Sequence, residues 1–144
     1  MQVRIIDTVA RDSFHEVFNA ALLVMCLRLF GRAEYHCHPS QRRCLERPLE
    51  RHGYAADVSR VAFRRVRVVR REGPAGWVCR YAAAALRSGW RLVRSRPGEL
   101  VVFNYNNPLA LPLLDLLNGF LHRRVLIVCH GELELLAGRN PWWR

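Results

Sequence analysis

The chain has 144 residues, 51% of them hydrophobic and 24% charged, enough for one domain with its own core and too apolar for general disorder. Its 23 basic and 12 acidic residues give a formal net charge of +11, which points towards an anionic partner. Every basic residue is arginine, so part of that excess is compositional bias rather than a binding face. The longest uncharged apolar stretch, 17–27, lies between Glu16 and Arg28 and falls short of the roughly 20 residues that cross a bilayer. Residues 1–7 lack the basic start and long apolar core of a secretion signal. A cytoplasmic protein is expected, at most peripheral on the inner face of the membrane. The five scattered cysteines read as reduced thiols in that compartment.

Residues 3–6 form a short apolar strand, and a polar turn over 7–13 leads into a helix from about Phe14, with Asp12 or Ser13 placed to cap it. Phe14, Val17, Phe18, Ala21, Leu22, Met25 and Leu29 recur at helical spacing, so this helix should be largely buried. Gly31 ends it. Residues 33–37 supply a second strand, and Pro39-Ser40 opens a polar helix over 41–52, kinked or divided by Pro48 and stopped by Gly53. Over 58–69, Val61, Phe63, Val66 and Val68 alternate in part with arginines, the pattern of an edge strand, which Gly73-Pro74-Ala75-Gly76 breaks.

Residues 77–96 read as an amphipathic helix, with Arg80, Arg87, Arg91 and Arg94 on one side and Val78, Tyr81, Ala82, Ala85, Leu92 and Val93 on the other. That arginine face would either be solvated or rest on anionic lipid head groups. A strand over 99–103, an apolar helix over 109–121 and a strand over 124–129 follow. Strands and helices thus alternate, and the later strands are wholly apolar. The expected fold is α/β, a single Rossmann-like three-layer sandwich over 1–144 with a mostly parallel sheet of about five strands.

In such a sheet the chemistry sits outside the carboxyl ends of the strands. Val125-Leu126-Ile127-Val128-Cys129 delivers His130 into a turn with Gly131-Glu132, and Leu100-Val101-Val102-Phe103 runs into Asn104-Tyr105-Asn106-Asn107-Pro108. An imidazole ordinarily titrates near neutral pH, so His130 is a candidate general base, with Glu132 or Glu134 to hold it; the alternative is a histidine that caps the following helix or donates to a backbone carbonyl. His15 and Asn19 lie one helical turn apart beside the same crevice. Asn104, Asn106 and Asn107 offer amide donors and acceptors to hydroxyl groups, or serve the turn alone. Asp12, at the mouth of the first helix, joins these as a candidate substrate contact. No G-x-G-x-x-G, P-loop or G-x-S-x-G occurs, which disfavours dehydrogenases, P-loop enzymes and α/β serine hydrolases. His36, Cys37, His38 and Cys44 are not expected to hold zinc, because neighbours on a strand face opposite ways and no second ligand pair follows.

Three motifs together, Phe14-His15-Glu16-Val17-Phe18-Asn19, Val101-Val102-Phe103-Asn104 and Val125 through Glu132, resemble the N-terminal half of GT-B type glycosyltransferases. The resemblance implies an acceptor-side domain in which His130 serves as base or orients the acceptor. A nucleotide-sugar donor would bind mainly to a C-terminal half, so the chain would be inactive alone. It also implies metal-independent chemistry with no resident cofactor, consistent with the lack of Asp-x-Asp. The sequence departs from the family pattern in having no glycine-rich turn after its first strand and no E-x₇-E donor region. The other reading is a basic, partner-dependent subunit that docks on an anionic membrane or, less favoured, on nucleic acid. The terminal Trp142-Trp143 pair would pack against further protein.

Overall fold

The computed structural model describes residues 2–8, 16–68, 73–104 and 110–128. The elements are β1 (Val3–Ile6), α1 (Glu16–Phe30), β2 (Ala33–Cys37), α2 (Pro39–Arg51), a 3-10 turn (Ala55–Arg60), β3 (Val61–Arg65), α3 (Gly73–Val93), β4 (Leu100–Phe103), α4 (Ala110–Leu121) and β5 (Arg124–Ile127). The five strands form one sheet in the order β3-β2-β1-β4-β5, every pair parallel. This is the expected α/β, Rossmann-like architecture. Ile5 of the central strand pairs with Tyr35 on one side and Val102 on the other.

Alternation along each strand divides the core in two. Val3, Ile5, Tyr35 and Val102 pack under α1 and α2 with Leu23, Leu27, Leu45 and Leu49. Ile6, Val101 and Phe103 face the other way, against Ala85 and Leu92 of α3 and Ala110 and Leu114 of α4. Each of these large side chains contributes about 1.5–3 kcal/mol by leaving water. In α2 the buried stripe is Gln41, Leu45, Pro48 and Leu49. Pro48 is part of this stripe and does not divide the helix, which continues to Arg51. Gly31, at φ 75°, ends α1 by donating to Leu27 O at 2.8 Å in a conformation a side chain disfavours.

Both long helices are rotated from the sequence expectation. In α1 the core side is Asn19, Ala20, Leu22, Leu23, Cys26 and Leu27, while Val17, Phe18, Met25 and Leu29 are exposed. Apolar residues surround this helix, so two stripes satisfy the same periodicity, and the sheet covers the one with Leu22, Leu23, Cys26 and Leu27. In α3 the buried positions include Ala84, Ala85, Ser88 and Leu92, whereas Val78 and Val93 are exposed and Arg80, Arg87 and Arg91 are half-buried. These three arginines flank the buried stripe, while Arg94, just past the end of α3, is exposed. Gly73, expected to break the chain, begins α3, and the expected strand over 58–69 shortens to β3 behind the 3-10 turn. β3 lies at an edge of the sheet, as its arginines indicated. Among the described residues, no helix is long and apolar enough to cross a membrane.

Candidate functional site

β1 and β4 are neighbours, yet the helices that follow them cover opposite faces: α1 packs with Val3 and Ile5, α4 with Val101 and Phe103. Such a switch point is where an open α/β sheet characteristically places its ligand, outside the carboxyl ends of the strands. The ladder continues one residue past the strands there. Asp7 N donates to His36 O at 2.8 Å, Asn104 N to Ile6 O at 3.0 Å, and Val128 N to Phe103 O at 2.9 Å. The ends of β1, β4 and β5 therefore lie side by side.

Polar side chains gather at this edge, and all are buried. Asn104 Nδ2 donates to Asn19 Oδ1 at 2.8 Å and to the Tyr35 hydroxyl at 2.9 Å, linking β4, α1 and β2. Gln41 Nε2, in the first turn of α2, donates to Asp7 Oδ2 at 2.9 Å. On the other face Thr8 Oγ1 and Ser88 Oγ share a hydrogen bond of 3.1 Å. Gln41 Oε1 is buried and has no hydrogen-bond partner among the described residues, an acceptor that a donor hydroxyl or water would satisfy.

The electrostatics keep the reactive-looking groups at this edge neutral. Burial, with Asp7 and Cys37 nearby, holds the Tyr35 phenol well above its ordinary range. Burial and the Asp7 charge push the Cys37 thiol up to about 12, so it is no nucleophile at neutral pH. His38 Nδ1 accepts from Ser40 N at 3.3 Å and lies 2.6 Å from Ser40 Oγ, capping α2. His36 points to the opposite face from Cys37, as strand alternation requires. Among the described residues, no group of three His, Cys, Asp or Glu side chains converges on a common point as metal ligands would.

A second polar cluster lies beneath α3 on the other side of the sheet. Arg4 Nη2 is 3.2 Å from Glu99, Arg4 Nε is 3.4 Å from Glu34 Oε2, and Arg64 Nε donates to Glu34 Oε1 at 3.0 Å. His36 Nε2 lies 3.2 Å from the same Glu34 oxygen. Burial, then Arg91, then Arg4 lower His36 to about 4 against the pull of Glu34. Burial alone would raise Glu34; His36 when protonated, Arg64 and Arg4 outweigh it and hold the carboxyl below its ordinary range.

Of the residues singled out from sequence, the structure brings Asn19 and Asn104 into direct contact. Asp12, His15, Asn106, Asn107, His130, Glu132, Glu134 and the Trp142-Trp143 pair lie outside the described residues. Asp7, Gln41, Thr8 and Ser88 were not singled out. Asp7 had a usable signal, a carboxylate directly after an apolar strand, but the other three are single polar residues without a pattern.

Comparison with protein-family models, with curated proteins and with solved structures gives no match. The chemistry is therefore read from the edge itself. It offers amide and carboxylate acceptors in a dry setting, neutral hydroxyls, and no nucleophile among the described residues.

Proposed function

We propose that the chain is the acceptor-side, Rossmann-like half of a metal-independent GT-B type glycosyltransferase, completed by a donor-binding half. The observation that carries this reading is the Asn19–Asn104 hydrogen bond at the β1–β4 switch point. Two of the three sequence motifs that resemble the family end on these two residues, and the third begins within β5, whose end lies beside that of β4. A parallel sheet with reversed connections presents its ligand at this edge, and the buried amides would fix the loops that contact it.

In this reading the hydroxyl of the acceptor gives its proton to neutral His130 while its oxygen bonds to the anomeric carbon of the donor. The bond from that carbon to the phosphate oxygen breaks, and the nucleotide leaves with the electron pair. Glu132 orients His130, and Asp12, His15, Asn106 and Asn107 hold acceptor hydroxyls. Positioning of this kind lowers the barrier by supplying the entropy of alignment in advance.

The test is sugar transfer by the chain joined to, or mixed with, a donor-binding half, read as nucleotide release from a panel of nucleotide sugars. Transfer that depends on both halves, and that His130→Ala removes at unchanged melting temperature, supports the assignment. Transfer unaffected by His130→Ala removes the base from the scheme, and no transfer with any donor or acceptor rejects it.

A further inference from the structure

A groove of about 650 Å³ runs between α1, α2 and the start of the 3-10 turn, along the outside of α1. Ala21, Val24 and Met25 form one wall, with Val17 and Leu29 at its two ends; Pro48 and Leu49 form the other. Val17 and Leu29 are twelve residues apart on one helix, so the groove is elongated over roughly 18 Å. The flank it leaves open is the unexpected one: Val17 is 64% exposed, Met25 47% and Leu29 69%.

The polar groups are confined to one end. Arg28 and His52 line the groove there, beside Tyr54, and among the described residues no carboxylate does. The guanidinium is held in place, since Arg28 Nη2 donates to the Tyr54 hydroxyl at 3.1 Å and Cζ stands 5.5 Å from the ring centroid. A long aliphatic trough with a fixed cation at one end and no opposing charge is complementary to a molecule with a hydrocarbon tail and an anionic head. Its volume is that of a small-molecule site, with apolar walls and few convergent polar groups.

We propose that this groove binds a single-chain anionic amphiphile, the tail lying along α1 between Val17 and Leu29 and the head at Arg28 and His52. The assignment is independent of the sugar-transfer reading and uses none of its residues. It also moves the lipid-facing role from the arginines of α3, which flank a buried stripe, to the opposite side of the sheet.

The probe is dodecyl phosphate, kept below its micelle concentration and titrated calorimetrically into the whole chain. Saturable binding at one site is expected, weakening about fourfold for each methylene removed in the decyl and octyl homologues. Dodecyltrimethylammonium should bind at least tenfold more weakly. Ala21→Trp, which fills the trough from an exposed helix position, should abolish binding. Leu29→Glu, a change at an exposed position that adds a negative charge beside the head group, should weaken the anionic probe alone by tenfold or more, and it serves should Ala21→Trp fail to fold. Equal affinity for both head groups, indifference to a folded Ala21→Trp chain, or binding to phosphatidylglycerol vesicles but not to monomeric dodecyl phosphate would overturn the proposal. So would a dimer in sedimentation that Ala21→Trp dissociates while no amphiphile binds, because the groove would then be covered by a second copy.

Discussion

Asn104 Nδ2 donates to Asn19 Oδ1 at 2.8 Å, joining the end of β4 to the first turns of α1 across 85 positions of sequence. The same amide reaches the Tyr35 hydroxyl at 2.9 Å, and all three side chains are buried. Asn104→Leu keeps the approximate volume but removes the donor to a buried amide oxygen and a buried phenol. An unsatisfied buried group costs about 1–3 kcal/mol, so a loss of about 3 kcal/mol is expected from urea midpoints, with Asn19→Leu losing a similar amount. The double variant should lose clearly less than the sum, because its second substitution removes a partner already stranded. Strict additivity would mean that the contact contributes nothing.

This contact was half legible in the sequence. Asn104 follows an apolar strand and Asn19 lies one turn into a helix, positions that identify both as edge residues, but no pattern in one chain says that they touch. Strand order decides that, and strand order also brings Arg4, Glu34 and His36 together, since β1 and β2 pair with Arg4 opposite Glu34. The phase of α1 was illegible for a different reason. With apolar residues on every side, Val17, Ala21 and Met25 satisfy helical spacing as well as Asn19, Leu23 and Cys26 do. The small-residue stripe of α3 is misleading in the same way, because shape rather than hydrophobicity selects it.

Gly89 shows that selection at one position. A Cβ there would stand 3.0 Å from Leu117 Cδ1 and 3.1 Å from Leu113 Cδ2, so α3 and α4 approach closely because this residue has no side chain. Gly89→Ala gains up to about 1 kcal/mol of helix propensity, and the two leucine tips can yield by tenths of an ångström. Its net effect should stay within about 1 kcal/mol. Gly89→Leu cannot be accommodated that way and should lose about 1–3 kcal/mol or more. Equal urea midpoints for the leucine variant and the parent would show that α4 is free to move away.

The thiols should divide by depth. Cys26 and Cys37 are buried and Cys79 is exposed; burial raises Cys26, and Cys37 stands at about 12. Since the thiolate is the reacting form, iodoacetamide at pH 8 should label Cys79 well before Cys26 or Cys37, and these two only on the timescale of global opening. Mass spectrometry of digested time points reads this directly. Early labelling of Cys37 would mean that the β2–α2 turn opens locally, beside the Asp7–Gln41 hydrogen bond.

His36 gives the fold an acid limit. It faces Arg91 from α3, Arg4 from β1 and Glu34 from its own strand, with Arg64 and Glu99 completing the cluster, and it titrates at about 4 instead of 6.5. The folded state therefore binds this proton less readily than the unfolded chain does. Stability from this residue is complete above pH 6.5 and falls as the pH drops from 6.5 towards 4, by of order 3 kcal/mol in all. Glu34, held below its ordinary value of 4.5, adds a loss of the same sign at still lower pH. Urea midpoints taken every half pH unit should slope downward through this window in the parent chain. In His36→Gln, whose side chain cannot take up a proton, most of that slope should vanish, and the loss assigned to Glu34 should shrink with it, because protonated His36 is the first of the charges that hold that carboxyl down, leaving the part due to Arg64 and Arg4. An unchanged slope in the variant would place the acid sensitivity elsewhere, and the carboxylates paired with Arg4 would be the next groups to titrate.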